Sequence, residues 1–138
     1  MTLVLDASAC AEFLLGTPAG AGVADTLGDA DIHAPHLVVS ECASVLRGWN
    51  LSGQLGDRRA ESATKDLAMM PWTLWDATPL LDTMWGLRHN ISAYDATYVV
   101  LATMLGVPLV TTDARLAASA PSVCILVRAS PPAGPSRL

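Results

Sequence analysis

The sequence predicts an α/β protein, a three-layer α/β/α sandwich around a central, mainly parallel five-stranded sheet. Short apolar strands alternate with helical patterns, which is typical of a parallel sheet covered by helices. The first apolar run, residues 3–5, ends at the carboxylate of Asp6, and a later one, residues 109–111, ends at Thr112 and Asp113. Buried strands that end at acids indicate a polar site at the carboxyl edge of the sheet.

Length and composition favour one folded domain. The chain has 138 residues, of which 51% are hydrophobic and 15% charged. We assign residues 1–128 to this domain and predict that the Pro- and Gly-rich segment 129–138 is a disordered tail. No apolar run approaches the roughly 18 residues of a membrane span, and the start of the chain lacks the basic region of a signal peptide. We therefore expect a cytoplasmic protein with no membrane partner.

Hydrophobic periodicity and chain breakers define the elements in order. The predicted strands span residues 3–5, 31–33, 72–75, 109–111 and 123–127. The predicted helices span residues 7–15, 18–27, 36–51, 58–69, 78–88, 93–105 and 114–118. Ser8, Asp57 and Ser92 are candidate N-caps, because short polar side chains accept hydrogen bonds from the first turn. The cysteines lack metal-ligand spacing and are expected in the core.

Two further acids lie on helices whose apolar faces should be buried. Glu41 lies at the margin of the apolar stripe of the helix at residues 36–51. Asp95 continues an apolar stripe with Val99 in the helix that begins after Ser92. A charged side chain beside a buried face costs free energy unless something compensates it. Both acids are therefore candidates for the site at the strand ends.

Each acid also has an ordinary explanation. Asp6 and Asp113 can simply cap the helices that follow them, and Asp95 can be a first-turn acid favoured by the helix dipole. Glu41 can lie at the solvent edge of its stripe or pair with Arg47. One shared site explains all four acids together, whereas the ordinary explanations must each hold separately.

A group of carboxylates is stable as anions only around cations. Oxygen ligands without a His or Cys set indicate Mg²⁺, with Mn²⁺ as a substitute, rather than zinc. A metal held in this way can activate a water to hydrolyse a phosphodiester without any nucleophilic side chain. Ser8 and Thr112, each beside an acid, can hydrogen-bond a ligand carboxylate or the substrate phosphate, or can be only helix caps.

The net charge of −5 is unusual for a protein that binds nucleic acid, because phosphate binding commonly depends on an excess of Lys and Arg. The chain has thirteen acidic and eight basic residues, so nine acids against eight bases remain when the four candidate ligands are set aside. Outside the proposed site the protein is close to neutral. A bound divalent cation would offset part of the remaining charge.

Four segments carry these acids: LVLDAS, VVSECASVLRG, AYDATYVVLA and PLVTTDARLA. In this order and spacing they resemble the PIN-domain family, and more narrowly the VapC-type toxins of bacterial toxin–antitoxin pairs, over residues 1 to about 127. The family's acidic quartet falls on Asp6, Glu41, Asp95 and Asp113. Some relatives have a further acid where this chain has Ala114 and Arg115, so the resemblance leaves the choice between one and two metal ions open.

The resemblance implies a Mg²⁺-dependent endoribonuclease that cuts tRNA, rRNA or mRNA and leaves a 5′-phosphate. It also implies a homodimer and a cognate antitoxin, a segment of which lies over the active-site groove. Arg115 and Arg47 are candidates for contacts to RNA phosphates, or else belong to surface ion pairs. A surplus of large apolar side chains for so small a core is consistent with an interface. These side chains are Trp49, Met69, Met70, Trp72 and Trp85.

Two other functions fit the pattern less well. A non-catalytic module of the same fold would bind RNA or protein without turnover, and the complete acidic quartet counts against it. A phosphotransfer enzyme of the receiver or haloacid-dehalogenase type would use Asp6 as a nucleophile. Such a site needs further acid and Lys positions near the strand ends, whereas this chain has Ser8 there and Lys65 as its only lysine.

Overall fold

Five short apolar strands form one entirely parallel sheet in the computed structural model, which describes residues 1–129. The strands are β1 (Thr2–Leu5), β2 (Asp31–Pro35), β3 (Trp72–Trp75), β4 (Leu109–Thr111) and β5 (Cys124–Leu126). Their order across the sheet is β3-β2-β1-β4-β5, and Val4 of β1 lies in register with His33 of β2 and Leu109 of β4. The strand order reverses between β1 and β4, so the carboxyl ends of these two strands flank the crevice where α/β sheets bind ligands.

Helices connect the strands and complete the three layers. They are α1 (Ala7–Leu15), α2 (Pro18–Leu27), α3 (Leu37–Leu51), α4 (Asp57–Ala68), a 3-10 helix (Thr78–Leu80), α5 (Leu81–Gly86), α6 (Ala93–Leu105) and α7 (Ala114–Ser119). Parallel neighbours require such crossovers, because each strand must start again at the same edge of the sheet. The predicted α/β/α sandwich with a parallel five-stranded sheet is confirmed.

The core is centred on β1 and α6. Leu3, Val4 and Leu5 are fully buried, and every residue from 96 to 102 of α6 is buried as well. Burial of one such Leu or Val side chain contributes roughly 1.5–3 kcal/mol. α6 packs against β1, β2, β4 and α5, so it is buried around most of its circumference. This central position holds the start of α6 close to the carboxyl edge of the sheet.

Two of the predicted N-caps are wrong. Asp6, not Ser8, caps α1, because its Oδ1 accepts a hydrogen bond from the backbone N–H of Ala9 at 2.8 Å. Ser8 lies inside the first turn. Asp57 is the first residue of α4 rather than its cap, and Gly56 precedes it in an extended conformation. In both cases the residue just outside the helix has the extended backbone that a cap requires.

Several element ends also differ from the prediction. The helix predicted over residues 78–88 is a 3-10 helix followed by α5, which ends at Gly86, a residue with low helix propensity. β2 continues to Pro35, which lies opposite Trp75 of β3, whereas β5 is shorter at both ends than residues 123–127. The ends of α3, α4 and α7 differ by one residue each. Helix and strand ends depend on tertiary contacts and are less determined by periodicity than their centres.

The disordered tail predicted for residues 129–138 lies, apart from Ala129, outside the described residues, and the domain boundary at residue 128 remains a prediction. Within residues 1–129 no helix has the length and apolar character needed to cross a membrane. Cys10 and Cys42 are buried in the core and Cys124 is half-buried against it, as the prediction for core cysteines requires.

Candidate active site

A cleft of about 380 Å³ lies at the carboxyl ends of β1 and β4. All four predicted acids line it, together with Ala7, Ser8, Ser44, Val45, Tyr98 and Arg115. Asp6 follows β1 and Asp113 follows β4, whereas Glu41 comes from α3 and Asp95 from the first turn of α6. The structure therefore brings together acids from four separate elements, and their role as metal ligands stays a prediction.

Asp6 is the most buried of the four acids, at 4% exposed. Its Oδ1 accepts hydrogen bonds from the hydroxyl of Ser8 and from the backbone N–H of Ala9, both at 2.8 Å. Its Oδ2 accepts a hydrogen bond from the hydroxyl of Thr111. The ordinary explanation for Asp6 thus holds, and the carboxylate that caps α1 also lines the cleft.

Burial raises the pKa of Asp6 from 3.8 to about 6. The hydrogen bonds from Thr111, Ala9 and Ser8 lower the pKa in part, and the negative charge of Asp113 raises it further. No basic side chain in the described part of the chain forms an ion pair with Asp6. Its charge is therefore stabilised by three hydrogen bonds and by its position at the start of α1, and an added cation would lower its pKa.

Thr111 is a site residue that the sequence prediction missed. The predicted residue was its neighbour Thr112, which contributes its backbone N–H to the hydroxyl of Ser8 at 3.3 Å. The hydroxyl of Thr111 instead contacts Asp6 and accepts a hydrogen bond from the backbone N–H of Asp113 at 3.0 Å. The available signal was a hydroxyl within an otherwise apolar, fully buried strand, since a buried hydroxyl requires a partner.

Glu41 is half-buried and accepts a hydrogen bond at Oε1 from the hydroxyl of Tyr98, at 2.6 Å. The alternative pairing with Arg47 is not found, because no ion pair involves Glu41 within residues 1–129. Burial, and then the adjacent Glu41 carboxylate, raise the pKa of Tyr98, so the phenol stays protonated and donates. Tyr98 was also missed, although it follows Asp95 by three residues and a buried tyrosine needs a partner for its hydroxyl.

The remaining two acids, Asp95 and Asp113, are half-buried and line the same cleft. The backbone N–H of Asp95 donates to the Ser92 hydroxyl at 3.1 Å, which confirms Ser92 as the N-cap of α6. Asp113 caps α7 through Oδ1, which accepts the backbone N–H of Arg115 at 2.9 Å. The guanidinium of Arg115 lies 4.0 Å from Oδ2 of Asp95 and is largely exposed, so this ion pair is weak. Arg47 is exposed on α3 and does not line the cleft.

The carboxylate oxygens that line the cleft are suitable ligands for a hard cation, but they are not arranged to bind one. Four carboxylates offer the oxygen ligands that Mg²⁺ and Mn²⁺ prefer. Among the residues that the structure describes, however, no group of three or more His, Cys, Asp or Glu side chains is arranged to hold a metal ion.

A parallel sheet with an acidic cleft at its switch point defines an open α/β domain with a ligand site in the usual place. The PIN-domain model matches residues 3–120, and the chain belongs to the PIN-domain family. Its relatives place it with the VapC-type members of that family, as the resemblance of its four acidic segments predicts.

The chain is similar to three ribonucleases of Mycobacterium tuberculosis. It is 41% identical over 118 residues to Ribonuclease VapC1, with 84% of this chain and 89% of the relative covered. For Ribonuclease VapC9 the identity is 38% over 123 residues, with coverage of 88% and 94%. For Ribonuclease VapC12 it is 37% over 117 residues, with coverage of 85% and 91%.

A solved structure shows the same fold. The crystal structure of PAE2754 from Pyrobaculum aerophilum superposes with a TM-score of 0.65 at 22% identity, and the match covers 86% of each chain. At this identity the similarity concerns the fold alone.

Proposed function

We propose that this chain is a Mg²⁺-dependent endoribonuclease, with Mn²⁺ as a substitute, and that it is the toxin of a type II toxin–antitoxin pair. The observation that supports this most is the single cleft that carboxylates from four separate elements line. The relatives named ribonucleases support RNA as the substrate. The net charge of −5 is compatible with RNA binding only if cations offset the charge of this cleft.

Asp6, Glu41, Asp95 and Asp113 would hold the cation. When bound, Mg²⁺ would lower the pKa of a water molecule and offset charge on the phosphodiester. The hydroxyl of Ser8 donates to Asp6 and orients that carboxylate, and a water activated in this way needs no nucleophilic side chain. Water therefore adds to phosphorus, and the bond from phosphorus to the 3′ oxygen breaks. The products carry a 5′-phosphate and a 3′-hydroxyl.

Arg115 is the proposed contact to an RNA phosphate at the cleft entrance. Its guanidinium is exposed and only weakly paired with Asp95, so it can exchange that partner for a phosphate at little cost. Arg47 remains a second candidate, on the exposed surface of α3 beyond the cleft.

The test is cleavage of total RNA with Mg²⁺ or Mn²⁺, with mapping of the cut sites. The Asp6→Asn variant keeps an N-cap acceptor and should stay folded while it loses activity by about 100-fold or more. Asp29→Asn is the matched control, because Asp29 is exposed in the turn after α2. Cleavage that persists in EDTA, or in the folded Asp6→Asn variant, would show that the proposal is wrong.

One observation favours the alternative, a non-catalytic module that binds RNA or protein. Within residues 1–129 no three His, Cys, Asp or Glu side chains are arranged so that they could hold a metal ion. This function predicts binding to RNA or to a partner protein that is the same with Mg²⁺ and with EDTA, and no turnover under either condition. The cleavage assay above therefore distinguishes the two functions.

A homodimer and a cognate antitoxin are the proposed assemblies, and the cytoplasm is the proposed location. Of the predicted surplus apolar side chains, Trp85 is 65% and Met69 80% exposed, whereas the other three pack against the core. Exposed apolar surface supports an interface.

Light scattering at micromolar concentration should give the mass of a dimer, and the mass of a monomer would contradict the proposed homodimer. A small open reading frame adjacent to the gene would support the antitoxin.

A further inference from the structure

Tyr98 connects two of the acids that line the cleft. It lies three residues after Asp95 on α6, so the two side chains leave neighbouring turns on the same side of the helix. Its own side chain is 2% exposed, and its hydroxyl crosses to α3 to reach Oε1 of Glu41 at 2.6 Å. Helix α6 therefore carries Asp95 itself and contacts Glu41 through the buried phenol of Tyr98.

Glu41 has fewer hydrogen bonds than the two acids at the strand ends. Asp6 accepts three hydrogen bonds, and Asp113 accepts the first backbone N–H groups of α7. For Glu41, Tyr98 is the single hydrogen-bond donor within residues 1–129, and no ion pair supplements it. A glutamate has three rotatable side-chain bonds, so without a fixed partner it samples many positions.

This hydrogen bond also gives the two carboxylate oxygens of Glu41 different roles. Oε1 accepts the phenol, and Oε2 accepts no hydrogen bond from the described residues, so Oε2 is the oxygen left for a ligand in the cleft. A short bond from a hydroxyl to a carboxylate is among the stronger hydrogen bonds in proteins. A group that is hydrogen-bonded to a metal ligand orients that ligand, as is common in metal sites.

We propose that Tyr98 is a positioning residue that holds Glu41 ready for the divalent cation. This inference rests on the proposed function, because it assigns Glu41 to that cation. It adds a residue outside the acidic quartet whose effect passes entirely through Glu41. The hydroxyl of Tyr98 itself touches neither the cation nor RNA.

The experiment measures Mn²⁺ binding to the full chain by electron paramagnetic resonance, with circular dichroism to verify folding. Tyr98→Phe keeps the buried ring and removes only the hydroxyl, so the core stays filled. We expect Mn²⁺ binding about 10-fold weaker or more. Tyr94→Phe is the matched control, because Tyr94 is exposed on the same helix and should bind Mn²⁺ like the wild type.

Two further readouts separate positioning from a general structural role. RNA cleavage by Tyr98→Phe should require more Mn²⁺ for half-maximal rate, and saturating Mn²⁺ should restore the maximal rate. In a Glu41→Gln background, Tyr98→Phe should weaken Mn²⁺ binding no further, since the two residues act as one unit.

The outcomes distinguish this inference from the proposed function. If the wild type binds Mn²⁺ and folded Tyr98→Phe binds it equally well, the role of Tyr98 is wrong while the proposed function stands. An additional loss in the Glu41→Gln background would also overturn the role, because Tyr98 would then act by another route. If the wild type binds no Mn²⁺, the proposed function fails and this inference fails with it.

Discussion

The hydroxyl of Thr111, on β4, donates a hydrogen bond to the carboxylate of Asp6 at the end of the neighbouring strand β1. The two residues are separated by 105 positions in the chain and meet only because β4 pairs with β1. The contact lies where the strand order reverses, so it joins the two halves of the sheet beneath the cleft. Stability and site chemistry are therefore linked through one buried carboxylate.

Replacing Thr111 should destabilise the protein through Asp6. Thr111→Val keeps the branched shape and removes the donor, so a buried carboxylate loses one of its three hydrogen bonds. We expect the free energy of unfolding to fall by about 1–3 kcal/mol at pH 7. Denaturant unfolding measures this loss. Thr112→Val is the control, because Thr112 contacts Ser8 through its backbone, and equal destabilisation of both variants would contradict the prediction.

Asp6 should also make stability depend on pH when EDTA is present. Its pKa is raised from 3.8 to about 6 in the folded state, so the folded protein holds the proton more tightly than the unfolded chain. This contribution to stability is complete below the unfolded pKa and is lost as the pH rises through the folded pKa. The wild type should therefore lose about 2–3 kcal/mol relative to Asp6→Asn between pH 4 and pH 7.

The measurement is denaturant unfolding of both proteins across that pH range in EDTA. Asp6→Asn cannot titrate at this position, so it reports every other pH effect in the chain. A constant difference between the two proteins would show that the carboxyl group does not have a raised pKa.

A divalent cation should stabilise the wild type by binding the folded cleft. At a concentration 100 times the dissociation constant, the gain is about 2.7 kcal/mol. Thermal unfolding with increasing Mg²⁺ or Mn²⁺ measures it as a rise in Tm. Asp6→Asn should show a much smaller rise, whereas Asp29→Asn should behave as the wild type does. The same rise in all three proteins would mean that the ion binds elsewhere.

Two glycines should respond in opposite directions to alanine. A Cβ at Gly20, in α2, would lie 1.9 Å from the backbone oxygen of Glu12 in α1, so the two helices would have to separate. We expect Gly20→Ala to lose about 1–3 kcal/mol or more. Gly48 lies in α3 with nothing within 4 Å of an added Cβ, so Gly48→Ala should gain about 0.5–1 kcal/mol.

Urea unfolding of the two variants tests this pair. A neutral or stabilising Gly20→Ala would show that α1 and α2 can move apart without cost. A destabilising Gly48→Ala would contradict the prediction for the exposed side of α3.

Much of the candidate site could be predicted because its signals are local. Asp6 and Asp113 each end an apolar run, and Glu41 and Asp95 each interrupt a helical pattern that can be recognised within a few residues. The predictions that were wrong concern which side chain makes a given hydrogen bond, and this depends on the residues around it. Ser8 does not cap α1, because the preceding carboxylate is better placed for the same N–H groups.

The amino-acid sequence by itself determined the alternation of strands and helices, the parallel sheet, the four acids and the family. These follow from periodicity, chain breakers and segment order, which depend on residues close in the chain. Only the tertiary structure decided that Thr111 contacts Asp6, that Tyr98 contacts Glu41 and that Arg47 lies outside the cleft. Contacts across 105 and 57 positions form where crossover helices pack on the sheet, and no local pattern specifies which side chains meet there.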